Sequence, residues 1–371
     1  MKRILTLVIA AIIMVNFTGC KGQSSNEAAE KNRESFDINI ATNILNAYMG
    51  YLKNEDIERG KELYSKELIE KGVEPYPTNL KIIGYKIDEV NEVGRSGIFK
   101  VKIVRGAPDK VISILDNYHI KIELVDNEYR ITEISTEPEK EVFLEGEGIR
   151  LKDQNSVSSN LVVDMAGIPF YAYPKNDAAM INKAPVPKKS FGMIILGYDG
   201  EKIAITTKDE NNTYIAIVKI DETGTAQSSN GDSTGGSGSS ESGGGGGGKA
   251  GGSNTIIKES PMGKEIASLD ILQKATIENL AFSLEEKVIM AQFKIDGKNT
   301  TMRVYDVESG DIVDFKFEEK FPPDKVDVIF SSFDKEVLNF EVREKEGSDK
   351  DASELSGKWQ LDLKKFQVRK L

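Results

Sequence analysis

Tyr118-His119-Ile120-Lys121-Ile122-Glu123-Leu124-Val125, then Asp126-Asn127, then Glu128-Tyr129-Arg130-Ile131-Thr132-Glu133-Ile134 is the stretch that decides how the chain folds. Apolar and polar residues alternate with period two on both sides of a polar dipeptide, the pattern of a half-buried antiparallel hairpin. Working upstream, Leu80 to Ile87 and Ile98 to Val104 repeat the alternation. Before them the period is 3.6. Ile40, Ile44, Leu45, Tyr48 and Leu52 share one face of a helix over Ile38 to Leu52. A second helix puts Ile57, Gly60, Leu63, Tyr64, Leu68 and Ile69 inward, and Gly72, Pro75 and Pro77 end it, as a C-terminal glycine followed by prolines does. Two helices ahead of a meander of strands predict an α+β unit over residues 37–150, with the helices on the concave side of a curved antiparallel sheet.

This plan resembles the nuclear-transport-factor-like superfamily, also called SnoaL-like. The last hairpin carries the likeness, where a charged turn precedes Tyr129-Arg130-Ile131-Thr132-Glu133-Ile134. The resemblance implies a cone-shaped interior. Some members place an Asp or His there as a base, and many others are binding or structural modules. His119 is the only histidine in the chain. Strand alternation sets it beside Lys121 and Glu123 and opposite Ile120 and Ile122, which is a wet face rather than a pocket.

Downstream, residues 151–371 contain three segments built alike: a strand, a charged tight turn, a second strand, a loop and a third strand. They are Ile194 to Ile205 with Tyr214 to Ile220, Leu280 to Ala291 with Met302 to Ile312, and Val328 to Asn339 with Trp359 to Val368. The second and third begin about 48 residues apart, near the period of propeller repeats. Asp199-Gly200 is a hairpin-turn pair. The segments resemble TolB-like propeller blades, with Tyr305 to Gly310 as the closest match to a third strand and its exit turn. Leu284 and Glu285-Glu286 stand where the family has Pro and Asp-Gly. A fourth, degenerate copy would span Leu161 to Tyr173. Closed propellers have about four to eight blades, so the expectation is an all-β, propeller-like or open antiparallel domain, with a generic antiparallel sandwich as the alternative.

Residues of about 224–254 are almost all Gly and Ser and cannot bury apolar surface. Strand-like sequence on both sides, Ile215 to Ile220 and Thr255 to Glu259, predicts a disordered insertion at a hairpin tip within one domain, in preference to an interdomain linker. Gly243 to Lys249 mimics a phosphate loop, but Ala250 follows the lysine, and no strand leads in and no helix leads out, so its context fails. Asp306, Glu308, Asp311 and Asp314, and Asp349 with Asp351, lack calcium-loop spacing and read as solvated turns. Tyr171, Tyr173 and Trp359 read as packing residues. One histidine and one cysteine form no metal-ligand cluster, and no metal or other cofactor is expected.

The N-terminus addresses the chain. Lys2-Arg3 precedes an apolar run from Ile4 to Val15, and the run ends before Cys20, the only cysteine in 371 residues. A basic start, a short apolar core and small residues before the end make a secretory signal, too short to span a bilayer as a helix of about 20 residues. Thr18-Gly19-Cys20 resembles the bacterial lipobox, with Phe17 where an aliphatic residue is usual. The resemblance implies a signal peptide over 1–19, cleavage before Cys20 and acylation of its sulfur with chains such as palmitate. Residues 20–36 would then be a lipidated, polar, flexible tether. Two acyl chains hold a protein on a membrane stably. A net charge of −11 opposes nucleic-acid binding, which needs Lys and Arg to neutralise phosphates. The expectation is an extracytoplasmic lipoprotein of the cell envelope, held at the membrane through Cys20. It would act as a non-enzymatic binding or scaffold module toward another envelope protein. The alternative is a small-ligand sensor or enzyme that uses the cone of the first unit.

Overall fold

The 118–134 hairpin closes through Asp126 and Asn127, whose φ values are 49° and 65°. Two successive left-handed residues make the tight turn whose twist matches the flanking strands. The structure, a computed structural model, describes residues 35–74, 80–175, 182–221, 259–345 and 350–371. The signal peptide, Cys20 and most of the tether lie outside the described residues, as do the Gly/Ser-rich segment and its phosphate-loop mimic.

The described chain is mostly antiparallel β, and part of it curls into a half-barrel. Helix α1 (Ile38–Lys53) starts at Asp37, whose side chain accepts from the Asn39 backbone N–H, satisfying one orphan donor of the first turn. It buries Ala41, Leu45, Tyr48, Met49 and Leu52, while Ile40 is exposed. The inward stripe is therefore rotated from the expected one. The expected second helix is two short ones, α2 (Ile57–Lys61) and α3 (Lys66–Glu70). Between them a turn at Glu62–Leu63 leads into Tyr64, which forms an isolated parallel bridge to Ile131. Ser65 N–H donates to the Ile131 carbonyl at 2.8 Å, and Ile131 N–H donates to the Leu63 carbonyl at 2.9 Å. Backbone docking onto a strand outweighs helix continuation there.

Six strands follow as one meander: β1 (Lys81–Val93), β2 (Ser96–Gly106), β3 (Ile112–Val125), β4 (Glu128–Glu145), β5 (Gly148–Asp153) and β6 (Asn160–Asp164), hydrogen-bonded in that order. The boundary expected at residue 150 falls inside β5, and the sheet runs straight across it. The long strands serve two cores. Ile82, Phe99, Val101, Ile103, Tyr118, Ile120, Ile122 and Ile131 pack under the helices. Ile83, Val104, Leu115, Val142, Ile149 and Leu151 belong to the core of the C-terminal half. Leu161 to Tyr173 is not a fourth copy of the repeat. Its first part is β6, an edge of the six-stranded sheet, and its last part is the two-residue strand β7 (Tyr171–Ala172), paired with β8 (Ala184–Pro185).

The three repeated segments are three separate sheets, each a meander in chain order. The first is β9 (Ser190–Leu196), β10 (Lys202–Lys208), β11 (Asn212–Ile220) and β12 (Gly263–Gln273). The second is β13 (Ala275–Phe282), β14 (Val288–Ile295) and β15 (Asn299–Asp306). The third is β16 (Val326–Phe333), β17 (Val337–Glu344), β18 (Gly357–Asp362) and β19 (Val368–Lys370). Helix α4 (Phe317–Lys320) connects the last two sheets, and α5 (Lys350–Leu355) precedes β18. Strands β11 and β12 pair up to Ile220 and Gly263, so residues 222–258 join neighbouring strands of one sheet. The next described strand is Gly263–Gln273; of the strand expected over Thr255 to Glu259, all but Glu259 lies outside the described residues.

Two of the charged turns meet. Glu286 (φ 52°) and Gly200 (φ 70°) hold left-handed positions in their turns. The Glu286 carboxylate accepts from Asp199 N–H at 2.7 Å and from Lys202 Nζ at 3.0 Å, clasping the first sheet to the second. Burial raises the Glu286 carboxyl above the ordinary range. Trp359 is buried, lies 5.2 Å from the Phe321 ring and donates Nε1–H to the Leu355 carbonyl at 2.8 Å. Tyr171 and Tyr173 depart from the expectation of packing: they are 62 % and 37 % exposed.

Candidate functional site

A cleft of about 710 Å³ lies between the N-terminal layer and the second and third repeat sheets. One wall is the C-terminal end of α1 with the start of β1: Lys53, Asn54, Lys81, Ile83 and Tyr85. The other wall is β13, β16 and β17: Glu278, Asn279, Phe330, Ser331, Glu341 and Arg343. β1, β13 and β16 are edge strands of their sheets. Each is bulged where it lines the cleft. The pairing register slips between Ile82 and Gly84, between Ile277 and Asn279, and between Phe330 and Ser332, so Ile83, Glu278 and Ser331 are the extra residues. A bulge leaves its residue outside the ladder and re-aims the neighbouring side chains, and bulges cluster beside functional sites.

The alternation of each strand breaks at its bulge. Ile82 and Ile83 are adjacent and both buried, each in a different core. Ile277 and Leu280 are buried three apart, as are Phe330 and Phe333. A period-two strand would send such pairs to opposite faces. Gly84 sits where the Tyr198 hydroxyl comes closest; a Cβ there would lie 2.3 Å from that oxygen.

Lys53 is the central polar group. Its Nζ donates to the Ser331 carbonyl at 2.5 Å and lies 4.8 Å from the centre of the Phe330 ring. Desolvation in the cleft lowers its ammonium to about 8, with Asp334 pulling the other way. Tyr85 donates to Asn46 Oδ1 at 3.2 Å, and burial pushes its phenol up to about 12. Arg343 Nη2 donates to Glu341 Oε2 at 2.7 Å, and this bond holds the Glu341 carboxyl low. Glu278 accepts from Gln292 Nε2 at 3.2 Å and Thr300 Oγ1 at 3.3 Å. The Asn279 side-chain oxygen is buried with no hydrogen-bond partner, an arrangement that costs about 1–3 kcal/mol unless something donates to it. The cleft thus offers an ammonium, an ion-paired guanidinium, two carboxylates and an unmet acceptor: a surface for holding a polar partner.

His119 is exposed on β3, but it departs from the expectation of a face without a pocket: with Lys121 it lines an open hollow of about 310 Å³ beside Leu68 and Lys71 at the end of α3. Asp306 Oδ1 accepts from Glu308 and Ser309 N–H at 3.0 and 2.7 Å within its turn, and Asp311 pairs with Lys175, which ties that turn to the residues after β7. Among the described residues no group of three or more His, Cys, Asp or Glu is placed to hold a metal ion, and no helix is long and apolar enough to cross a membrane. Under α1 the six-stranded sheet is packed with side chains, Leu45, Tyr48, Phe99 and Ile120 being fully buried and Tyr118 nearly so. None of the cleft residues was singled out from the sequence as functional. The signal that could have found them is the broken alternation at the three bulges.

No model of a known protein family and no curated protein matches this chain.

Proposed function

We propose that the chain is an extracytoplasmic lipoprotein, acylated at Cys20, that acts as a binding module of the cell envelope through the cleft between α1–β1 and β13–β16–β17. In this reading residues 1–19 are the signal peptide and 20–36 the tether. The helix-backed part of the six-stranded sheet is a nuclear-transport-factor-like unit, supported by α1 and α3 on its concave face. The three repeat sheets are a degenerate TolB-like propeller, supported by the meander order of each. The observation that carries the binding site is the convergence of three bulged edge strands around Lys53. Tight packing of Leu45, Tyr48, Phe99 and Ile120 under α1 supports the module reading ahead of the sensor or enzyme. An envelope protein fits this cleft better than a small apolar ligand. Its rim carries both charge signs, and open strand edges offer backbone groups to an incoming chain.

The test uses the full chain in membranes. Lys53→Met combined with Arg343→Glu leaves Tm within a few degrees and abolishes capture of the partner that the parent recovers from solubilised membranes. Equal recovery by parent and variant, or recovery of nothing by the parent, ends the binding-site reading. Cys20→Ala abolishes metabolic lipid labelling; unchanged labelling ends the anchor.

A further inference from the structure

The β7–β8 hairpin turns three aromatic side chains to solvent. Phe170 is 69 % exposed, Tyr171 62 % and Tyr173 37 %. The exposure is imposed by packing on the other side. Ile168, Ala172 and Val186 are buried in the C-terminal core, and Val186 N–H donates to the Phe170 carbonyl at 3.0 Å. Tyr171 and Tyr173 flank the inward Ala172, so alternation holds both outward. Rings of this size each carry about 150–250 Å² of surface that gains from leaving water.

The hairpin is also cationic within an acidic protein. Residues 168–190 carry Lys175, Lys183, Lys188 and Lys189 against the single acid Asp177, whereas the whole chain carries −11; Lys175 is paired with Asp311 and Lys189 with Glu210, so Lys183 and Lys188 are the cations the hairpin presents. Lys188 Nζ lies 3.7 Å from the centre of the Phe170 ring, and Lys183 Nζ 5.3 Å from that of Tyr173. Each ammonium is thus presented together with a ring. We infer that this hairpin is a contact surface for an anionic lipid bilayer, with the rings at the headgroup boundary and the lysines on the phosphates. Aromatic rings concentrate at that boundary, and a basic residue near an anionic leaflet is attracted to it. A ring face already covered by an ammonium is poorly disposed to stack on a sugar, which favours the bilayer over a glycan. Such a contact would lay the protein's C-terminal half against the membrane, in place of free swinging on a tether.

The experiment places an indole in the hairpin of the full chain, Tyr171→Trp, with buried Trp359 as the internal reference. The protein is mixed with vesicles of phosphatidylglycerol or of phosphatidylcholine, each containing brominated lipid. The expected result is a blue-shifted, quenched emission from the introduced indole on phosphatidylglycerol only. Adding Lys183→Gln or Lys188→Gln weakens it by about fivefold each, the attraction of roughly 1 kcal/mol per basic residue lost. An unquenched indole on phosphatidylglycerol overturns the proposal, whether or not the protein sediments with the vesicles. So does equal quenching on phosphatidylcholine. A shift produced without vesicles, by soluble envelope polysaccharide or by raising protein concentration, reassigns the surface to a glycan or to a second copy and overturns the bilayer contact.

Discussion

Lys53 has a titration that can be separated from the rest of the chain. Its folded value, about 8, lies below that of an exposed lysine, about 10.4. The unfolded chain therefore holds the proton more tightly between those values, and stability rises as pH increases through that window. Below about pH 8 both states are protonated and the dependence vanishes. Lys53→Met is expected to flatten the rise in denaturation midpoint between pH 8 and 10.5, and the parent is expected to be acylated at Lys53 ahead of its surface lysines at pH 8. An equal rate at Lys53 and an exposed lysine would contradict the desolvated geometry. Gly84 makes a steric case at the same scale. With a Cβ due 2.3 Å from the Tyr198 hydroxyl, Gly84→Ala forces the bulge or the ring to move, at about 1–3 kcal/mol. Tyr198→Phe in the same chain is expected to recover part of that loss, because the offending atom is the hydroxyl oxygen. Urea midpoints of the two single variants and the double variant settle the point.

At the scale of elements, the joints between sheets are polar. Asp270 on β12 is fully buried. It accepts from Arg303 Nη1 and the Tyr305 hydroxyl on β15, each at 2.8 Å, and from Lys175 N–H at 2.8 Å. Arg303 also donates to Glu318 on α4 at 2.6 Å. One carboxylate thus ties the first repeat sheet to the second, to α4 and to the residues just after β7. Asp270→Leu leaves the Arg303 guanidinium facing an apolar group, which costs about 3–5 kcal/mol. Glu286 does a similar job between Asp199 and Lys202. Destabilisation by Asp270→Leu of under about 1 kcal/mol in chemical denaturation would mean that packing alone holds these sheets together.

For the whole molecule, the six-stranded sheet is shared by two cores. β1 sends Ile82 under the helices and Ile83 into the C-terminal core. The two halves are expected to unfold in one transition. A fragment of residues 37–150 is expected to lack cooperative unfolding, since Ile83, Val104, Leu115 and Val142 would face water. A sharp thermal transition from that fragment would show a separable domain.

The features legible before folding are local. Period-two and period-3.6 runs placed α1, the hairpin at Asp126-Asn127 and the strands of the three repeat sheets except β12, because alternation and turn chemistry act over a few neighbouring residues. The lone cysteine after an apolar run is legible in the same way. Tertiary structure alone decided the rest. It broke the second helix by docking Leu63 to Ser65 on β4, carried one sheet past residue 150, and brought Lys53, Asn279, Ser331 and Arg343 to a single cleft. These outcomes depend on contacts between residues far apart in the chain, where a backbone bond or a buried face outweighs local preference. A bulge disturbs a sequence pattern by one residue, yet three of them from three strands meet only in the folded molecule.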